Sequence, residues 1–178
     1  YLWNSNISDG LADDVGFLFK LRNYLQVQIG FSKAFVSGQN NGGEMCYSLA
    51  LAQPSTSYFA AIASLGGTMS ANDWQSMQEA KPTPIFQYAG LNGVDQPQLG
   101  LTDTLPDIEK IIALWSKINQ TNLQKKTSIS NNIYIDKYYS DSNSNQIWHY
   151  INEDLDHASM LYTVTDTEPI VKFFALYF

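Results

Sequence analysis

Five residues, Gly38-Gln39-Asn40-Asn41-Gly42, keep the glycine spacing of the nucleophile elbow G-x-S-x-G but carry an amide where that motif has its hydroxyl. The glycines of such a motif let the backbone turn sharply from a strand into a helix, which holds the central side chain above the sheet at a helix N-terminus. An amide nitrogen has its lone pair delocalised into the carbonyl, so a neighbouring imidazole cannot activate Asn40 into an acyl-accepting nucleophile. The spacing predicts the turn, and the residue at its apex denies the usual chemistry.

Other side chains capable of chemistry are few. Cys46 falls on the apolar face of the helix expected after the turn, where a thiol packs rather than reacts. His149 stands between Trp148 and Tyr150 and reads as an ordinary sheet residue. His157 closes the acidic loop Glu153-Asp154-Leu155-Asp156-His157; its own pattern is that of a solvated loop histidine, and the carboxylates lack a second ligand cluster that would make a calcium loop. Trp148, Tyr134, Tyr138 and Tyr139 have faces that can stack on aromatic or sugar ligands, yet aromatics on strands more often pack within a sheet. Ser37 and Ser64 are the serines near predicted strand ends.

The 178 residues suit one domain, with 44% hydrophobic and 15% charged residues in globular proportion. A formal charge of −7 and only ten scattered Lys and Arg argue against a nucleic-acid partner, which needs clustered cations. One cysteine excludes an internal disulfide and a multi-cysteine zinc site, and no metal or other cofactor is expected. No run of eighteen apolar residues is present, so no membrane-spanning segment is expected. The start at Tyr1, without Met or a signal sequence, carries the expectation that a leader or N-terminal segment has been removed. Asn6-Ile7-Ser8 and Asn119-Gln120-Thr121 fit the glycosylation sequon, which matters only in a eukaryotic secretory host.

The elements that must position the turn follow from periodicity. Asp13-Asp14 open a helix whose Val15, Leu18, Leu21 and Leu25 recur at helical steps and which Gly30 closes after about Gln28. Ala34-Phe35-Val36 lead as a strand into the turn, and Met45, Cys46, Leu49 and Ala50 continue as a helix. Phe59 to Leu65 is a continuous apolar run, the signature of a parallel strand covered on both faces. Ser70 to Glu79 forms a short helix or ordered loop whose Trp74 and Met77 cover the sheet edge. Pro84 to Ala89 is a third strand; the loop Leu91 to Pro97 after it falls where ligand crevices lie in open parallel sheets. Pro106 fits a first helical position with Asp103 or Thr104 as cap, and Ile108, Ile111, Ile112, Trp115 and Ile118 give the clearest helical stripe. Ile129 to Tyr139 alternates as a strand, Gln146 to Ile151 returns as its hairpin-like partner, and Glu168 to Phe178 closes as a helix. The order is α/β: three layers, a mostly parallel sheet flanked by helices.

Taken together these segments resemble the α/β-hydrolase esterases that group polyhydroxybutyrate depolymerases with feruloyl and acetylxylan esterases. The likeness runs through Asp13 to Phe17, the elbow with its double glycine and Met45, Phe59 to Gly67, Ala113-Leu114-Trp115, Tyr150 followed by His157, and Lys172-Phe173-Phe174. It implies a single domain over 1–178 with a partial α/β-hydrolase fold, the family's N-terminal strands falling before Tyr1. It also implies a Ser–Asp–His triad: His157 matches the histidine, Asn40 takes the nucleophile's place, and the acid position falls on Gly93, leaving Asp95 as a candidate acid only if its loop bends differently. The family's glycine-rich oxyanion loop would also precede Tyr1, so the backbone N–H of Asn41 is the remaining oxyanion donor, with Gln39 beside it as a substrate-binding candidate. The implied ligand is a small-molecule or polymeric ester, a polyester or a feruloylated or acetylated polysaccharide, and the implied location is secreted or periplasmic.

Three functions remain open at this level: an ester-hydrolase scaffold with catalysis lost or impaired, a working esterase with Ser37 or Ser64 as nucleophile, and a non-catalytic ligand-binding or interaction domain. The same resemblance leaves the strand at Ala34 to Ser37 with an exposed edge. A homodimer through that edge, or dependence on a segment ahead of Tyr1, is expected.

Overall fold

The computed structural model describes residues 2–5, 12–55, 58–77, 80–90, 107–155 and 167–178. In chain order its elements are α1 (Asp14–Ile29), β1 (Phe35–Gln39), α2 (Asn41–Ala52), β2 (Ala61–Leu65), α3 (Ala71–Gln75), β3 (Ile85–Gly90), α4 (Ile108–Ile118), β4 (Leu123–Ser128), β5 (Ile133–Tyr139), β6 (Ile147–Asn152) and α5 (Glu168–Phe174). A tighter helical turn, Ala175–Tyr177, continues α5. The strands form one sheet in the order β1-β2-β3-β6-β5-β4. β1, β2, β3 and β6 are parallel, β5 is antiparallel to β6, and β4 to β5. The fold is α/β, a mixed and mostly parallel six-stranded sheet flanked by helices.

Both sheet faces are covered in the middle, which is why β2 and β3 read as nearly unbroken apolar runs. Val36, Ile62, Ile85 and Ile147 stand in one register row. They pack with Cys46 and Tyr47 of α2 and Ile111, Ile112 and Trp115 of α4. Ala61, Ala63, Phe86, Trp148 and Tyr150 face the other way, against Ile170, Phe173 and Tyr177. Lys137 adds to this second face by laying its ammonium 3.6 Å from the centre of the Trp148 ring. The aromatics on β6 therefore belong to the core rather than to a stacking surface for ligands.

Helix ends follow from local chemistry. The Asp13 carboxylate accepts from the N–H of Gly16 at 2.7 Å, and Gly30, at φ 78°, ends α1 in the left-handed region. α1 lies outside the edge of the sheet and meets α2 through Val15, Leu18 and Phe19, so Leu21 and Leu25, expected to face the core, are instead 37% and 36% exposed.

Several boundaries differ from the sequence expectation. α4 begins at Ile108 because the Asp107 carboxylate accepts from the N–H of Lys110 at 2.9 Å; the cap is neither Asp103 nor Thr104, and Pro106 precedes the cap. Residues 129–132 form a turn, so β5 starts at Ile133 instead of Ile129. That turn joins β5 to β4, a strand without an alternating apolar pattern. β4 is held by its ladder with β5 and by the Lys126 ammonium 3.3 Å from the Tyr134 ring centre, and its lysines suit an exposed sheet edge. Met77 is buried in the core under α2 and α4, with Trp74 packed against it, so this pair fills the interior and does not cover an edge. The loop Leu91 to Pro97 with Gly93 and Asp95, and also His157, lie outside the described residues.

Two buried ionisable groups pull acid stability in opposite directions. Asp73, at the start of α3, is 7% exposed and accepts from the Ser48 hydroxyl at 2.6 Å. Burial pushes its carboxyl up to about 6 despite bonds from Ser48 and Ser70 that pull it down, with repulsion from Glu44 adding to the rise. Its contribution to stability is whole below 3.8 and is lost as pH rises through about 6. His149 is 1% exposed, and burial lowers it from 6.5 to about 4. Its contribution is whole above 6.5 and falls away as pH drops toward about 4. Asp73→Asn should remove the first effect alone. The stability difference between variant and native protein, read by urea unfolding, is expected to move in the variant's favour by about 3 kcal/mol from acid to neutral pH. A difference independent of pH would contradict the buried-carboxyl assignment.

Candidate functional site

The turn at Asn40 joins a strand directly to a helix through one positive-φ residue. β1 ends at Gln39, α2 begins at Asn41, and the single residue between them adopts φ 52° and ψ −117°. That is the positive-φ half of the map, and the ψ is far from the left-handed helical minimum that Asn tolerates. The Asn40 N–H donates to the carbonyl of Leu65 at 2.9 Å, and its own carbonyl accepts from the N–H of Glu44 at 3.0 Å. An Asn before a helix ordinarily accepts from the first-turn amides, but the Asn40 side chain makes no such capping bond. The first N–H groups of a helix have no intrahelical partner, so the turn sets backbone donors, that of Asn41 first, beside an uncapped side chain.

Two glycine contacts make this turn possible. A Cβ on Gly38 would lie 2.2 Å from the carbonyl oxygen of Gly42, so strand end and first helical turn meet backbone to backbone. A Cβ on Gly67, just after β2, would lie 2.5 Å from the carbonyl carbon of Gly43 and 2.7 Å from the carbonyl oxygen of Asn40. The elbow is clamped between its own strand and the loop after the next one.

Beneath the turn a polar row crosses the sheet. Register places Gly38, Ser64, Gln87, His149, Asp136 and Lys126 side by side on successive strands. The Tyr47 hydroxyl donates to Gln87 Oε1 at 2.6 Å, while Gln87 Nε2 and Ser64 Oγ each donate to the carbonyl of Gly67 at 3.2 Å. His149 Nε2 is buried and finds no hydrogen-bond partner among the described residues. From the sequence His149 reads as an ordinary strand residue and Ser64 only as a candidate nucleophile, while Tyr47 and Gln87 carry no assigned role; the signal for Ser64 and Gln87 is a polar side chain inside an otherwise apolar strand run.

The flanking residues are placed as follows. Gln39 is exposed at the end of β1. The Asn41 side chain is engaged: its Oδ1 accepts from the N–H of Trp3 at 2.5 Å and its Nδ2 donates to the Trp3 carbonyl at 3.2 Å. Ser5 donates to Glu44 at 2.6 Å, so residues 2–5 are pinned over the start of α2. Between them and β1 lies a cavity of about 460 Å³ bordered by Leu2, Trp3, Leu18, Gln39, Asn40 and Met45. Cys46 is 1% exposed, and burial pushes its thiol up to about 12, as suits packing and not reaction. Ser64 is fully buried, and Ser37 is exposed on the sheet face opposite α2, in register with Ala63.

Asp95 and His157 follow β3 and β6, whose last residues, Gly90 and Asn152, are register partners. Because β1, β2, β3 and β6 are parallel, Gly90 and Asn152 lie at the same end of the sheet as Asn40. The described structure thus defines an α/β protein with a strained strand-to-helix elbow at the carboxyl edge of its sheet. No protein-family model matches the chain, and no curated protein matches it at significant similarity.

The glycine contacts give a paired expectation. Gly38→Ala should destabilise by about 3 kcal/mol, because backbone must move to admit the methyl group. Gly42→Ala should be neutral or slightly stabilising, since a Cβ there meets nothing within 4 Å. Chemical denaturation separates the two, and equal effects would mean the turn is not clamped as described.

Proposed function

We propose that the chain is a carboxylic-ester hydrolase scaffold of the α/β-hydrolase type, akin to polyhydroxybutyrate depolymerases and feruloyl esterases, in which catalysis is lost or impaired because Asn40 stands at the nucleophile position. The observation that carries it is the backbone of Asn40: a positive φ with no side-chain cap, between a parallel strand and a helix, is the geometry that a nucleophile elbow demands. The strands that precede Asp95 and His157 in the chain, β3 and β6, end at the same edge of the sheet as Asn40, which supports such a site, and Asn41 supplies a first-turn N–H.

The amide removes the nucleophile. Loss of a triad serine costs about 10⁶ in turnover, and the oxyanion hole with substrate binding gives what remains. An active enzyme built on Ser64 is disfavoured by its full burial and its bond to Gly67, and one built on Ser37 by its placement away from α2. A non-catalytic ligand-binding domain is the second reading, favoured by the cavity beside Asn40 in which Trp3 offers an apolar wall.

The native protein is expected to show no turnover of small aryl or acetyl esters and no covalent labelling by a fluorophosphonate probe. Asn40→Ser combined with Gly93→Asp should gain labelling at position 40. Asn40→Ser alone should remain slower by roughly 10⁴, the cost of an unoriented histidine. Labelling of any serine in the native protein would establish the other-nucleophile alternative, and an unlabelled double variant would remove the ester-hydrolase scaffold.

A further inference from the structure

The sequon Asn119-Gln120-Thr121 falls where α4 ends and the chain turns toward β4. Asn119 is the C-cap of that helix, and its backbone N–H donates to the Trp115 carbonyl at 2.8 Å. Gln120 takes φ 55°, which turns the chain out of the helix, and the Thr121 hydroxyl donates to the Ser116 carbonyl at 3.2 Å. Gln120 is exposed, yet Asn119 beside it is 0% exposed.

The buried amide is spent on one partner. Asn119 Nδ2 donates to the Thr83 carbonyl at 2.7 Å, and Oδ1 accepts from the Thr83 N–H at 2.7 Å. The side chain thus stands in for a neighbouring strand and pairs both backbone groups of Thr83. Thr83 is itself 1% exposed and is followed by Pro84, which has no N–H, and then by Ile85, where β3 begins. The Asn119 amide therefore satisfies the buried backbone that leads into a central strand. Gln53, after α2, reaches the same point: its Nε2 donates to Thr83 Oγ1 at 2.6 Å, and its Oε1 accepts from the Phe59 N–H at 3.2 Å. Asn143, in the turn before β6, donates from Nδ2 to the Asn119 carbonyl at 3.2 Å. The ends of α2 and α4 and the approaches to β3 and β6 are tied through the Asn119–Thr83 pair.

N-glycosylation of Asn119 would form a bond from Nδ2 to the anomeric carbon of a lipid-linked oligosaccharide, break that carbon's bond to the carrier diphosphate and release one Nδ2 proton. The transfer needs the nitrogen within reach, and the bulky product belongs at a surface. A fully buried nitrogen meets neither condition. A sugar attached before folding would leave the Thr83 N–H and carbonyl buried without partners, ahead of a strand that lies between β2 and β6. We propose that this sequon is closed in the folded protein, and that a glycan attached to Asn119 in the unfolded chain bars the native fold.

Expression of the chain behind a secretion leader in a eukaryotic host tests this independently of any chemistry at Asn40. Peptide mapping reads occupancy at Asn119 separately in secreted and in retained protein. Secreted protein with the native circular dichroism spectrum is expected to carry no glycan at Asn119, and occupied chains are expected only in the retained fraction. Thr121→Ala, which removes the sequon and leaves the amide, should then raise the secreted yield severalfold. Natively folded, secreted protein with a glycan at Asn119 overturns the proposal, as does a retained, occupied fraction whose yield Thr121→Ala does not move. Where neither fraction is occupied, exchange of the Asn119 Nδ2 protons in the native protein, read by NMR, decides. Exchange roughly a hundredfold or more slower than in an exposed Asn side chain supports closure, and exchange at the exposed rate overturns it.

Discussion

The contact on which the rest of the site depends is between two stretches of bare backbone, Gly67 after β2 and Asn40–Glu44 at the start of α2. With any side chain at Gly67 the helix would be displaced, since even a Cβ would sit 2.6 Å from the N–H nitrogen of Glu44. Gly66 meets a different requirement, a φ of 66° that turns the chain away from the sheet. Once Gly67 is in place its carbonyl becomes the acceptor for both Ser64 and Gln87, and Gln87 in turn holds Tyr47 from the middle of α2. Helix, loop and two neighbouring strands are thus tied at one carbonyl, and buried polar groups that would each be costly if unpaired satisfy one another.

This clamp explains how a sharp turn persists at the end of an edge strand. Among the described residues β1 has a neighbouring strand on one side only, so that ladder alone does not set where Asn40 sits. Position is fixed by packing at right angles to the ladder, through Met45, Leu49 and Val15 on one face and Phe35 with Phe174 on the other. Residues 2–5 add a polar restraint, because the Asn41 amide pairs with both backbone groups of Trp3 in the manner of a neighbouring strand. The same arrangement leaves the α1 side of the edge apolar and open, so a restraint that serves the elbow also shapes the surface beside it.

What could be read in the sequence was whatever depends on local pattern. The α4 stripe, the apolar β2 run, the left-handed Gly30 and the glycine spacing around Asn40 each reflect one segment meeting one environment, and all of them appear in the structure. β4 was illegible because Leu-Gln-Lys-Lys-Thr-Ser is exposed along most of its length and becomes a strand only by pairing with β5. Leu21 and Leu25 looked like core because periodicity reports which residues share a face, and does not say whether that face meets the protein or stands beside an open edge. Isolated polar residues within apolar strands are visible in the sequence, but their alignment into a row is not. Ser64, Gln87, His149 and Asp136 are aligned by register between strands far apart in sequence, and only the topology brings them level.

The conformation of Asn40 carries the remaining weight. A non-glycine residue at φ 52° and ψ −117° stores roughly 1–3 kcal/mol of strain, which the surrounding structure must offset. Glycine would adopt it without the penalty, and Asn gains nothing here from its usual local hydrogen bonds because its side chain does not cap α2. Packing alone therefore accounts for the turn but not for the side chain at its apex. The side chain leaves the backbone at the start of α2, at the end of the sheet where β3 and β6 also finish. An amide there can donate to and accept from a carbonyl-bearing ligand even though it cannot attack one, so the geometry of an elbow and the chemistry of a binding site are compatible in this residue.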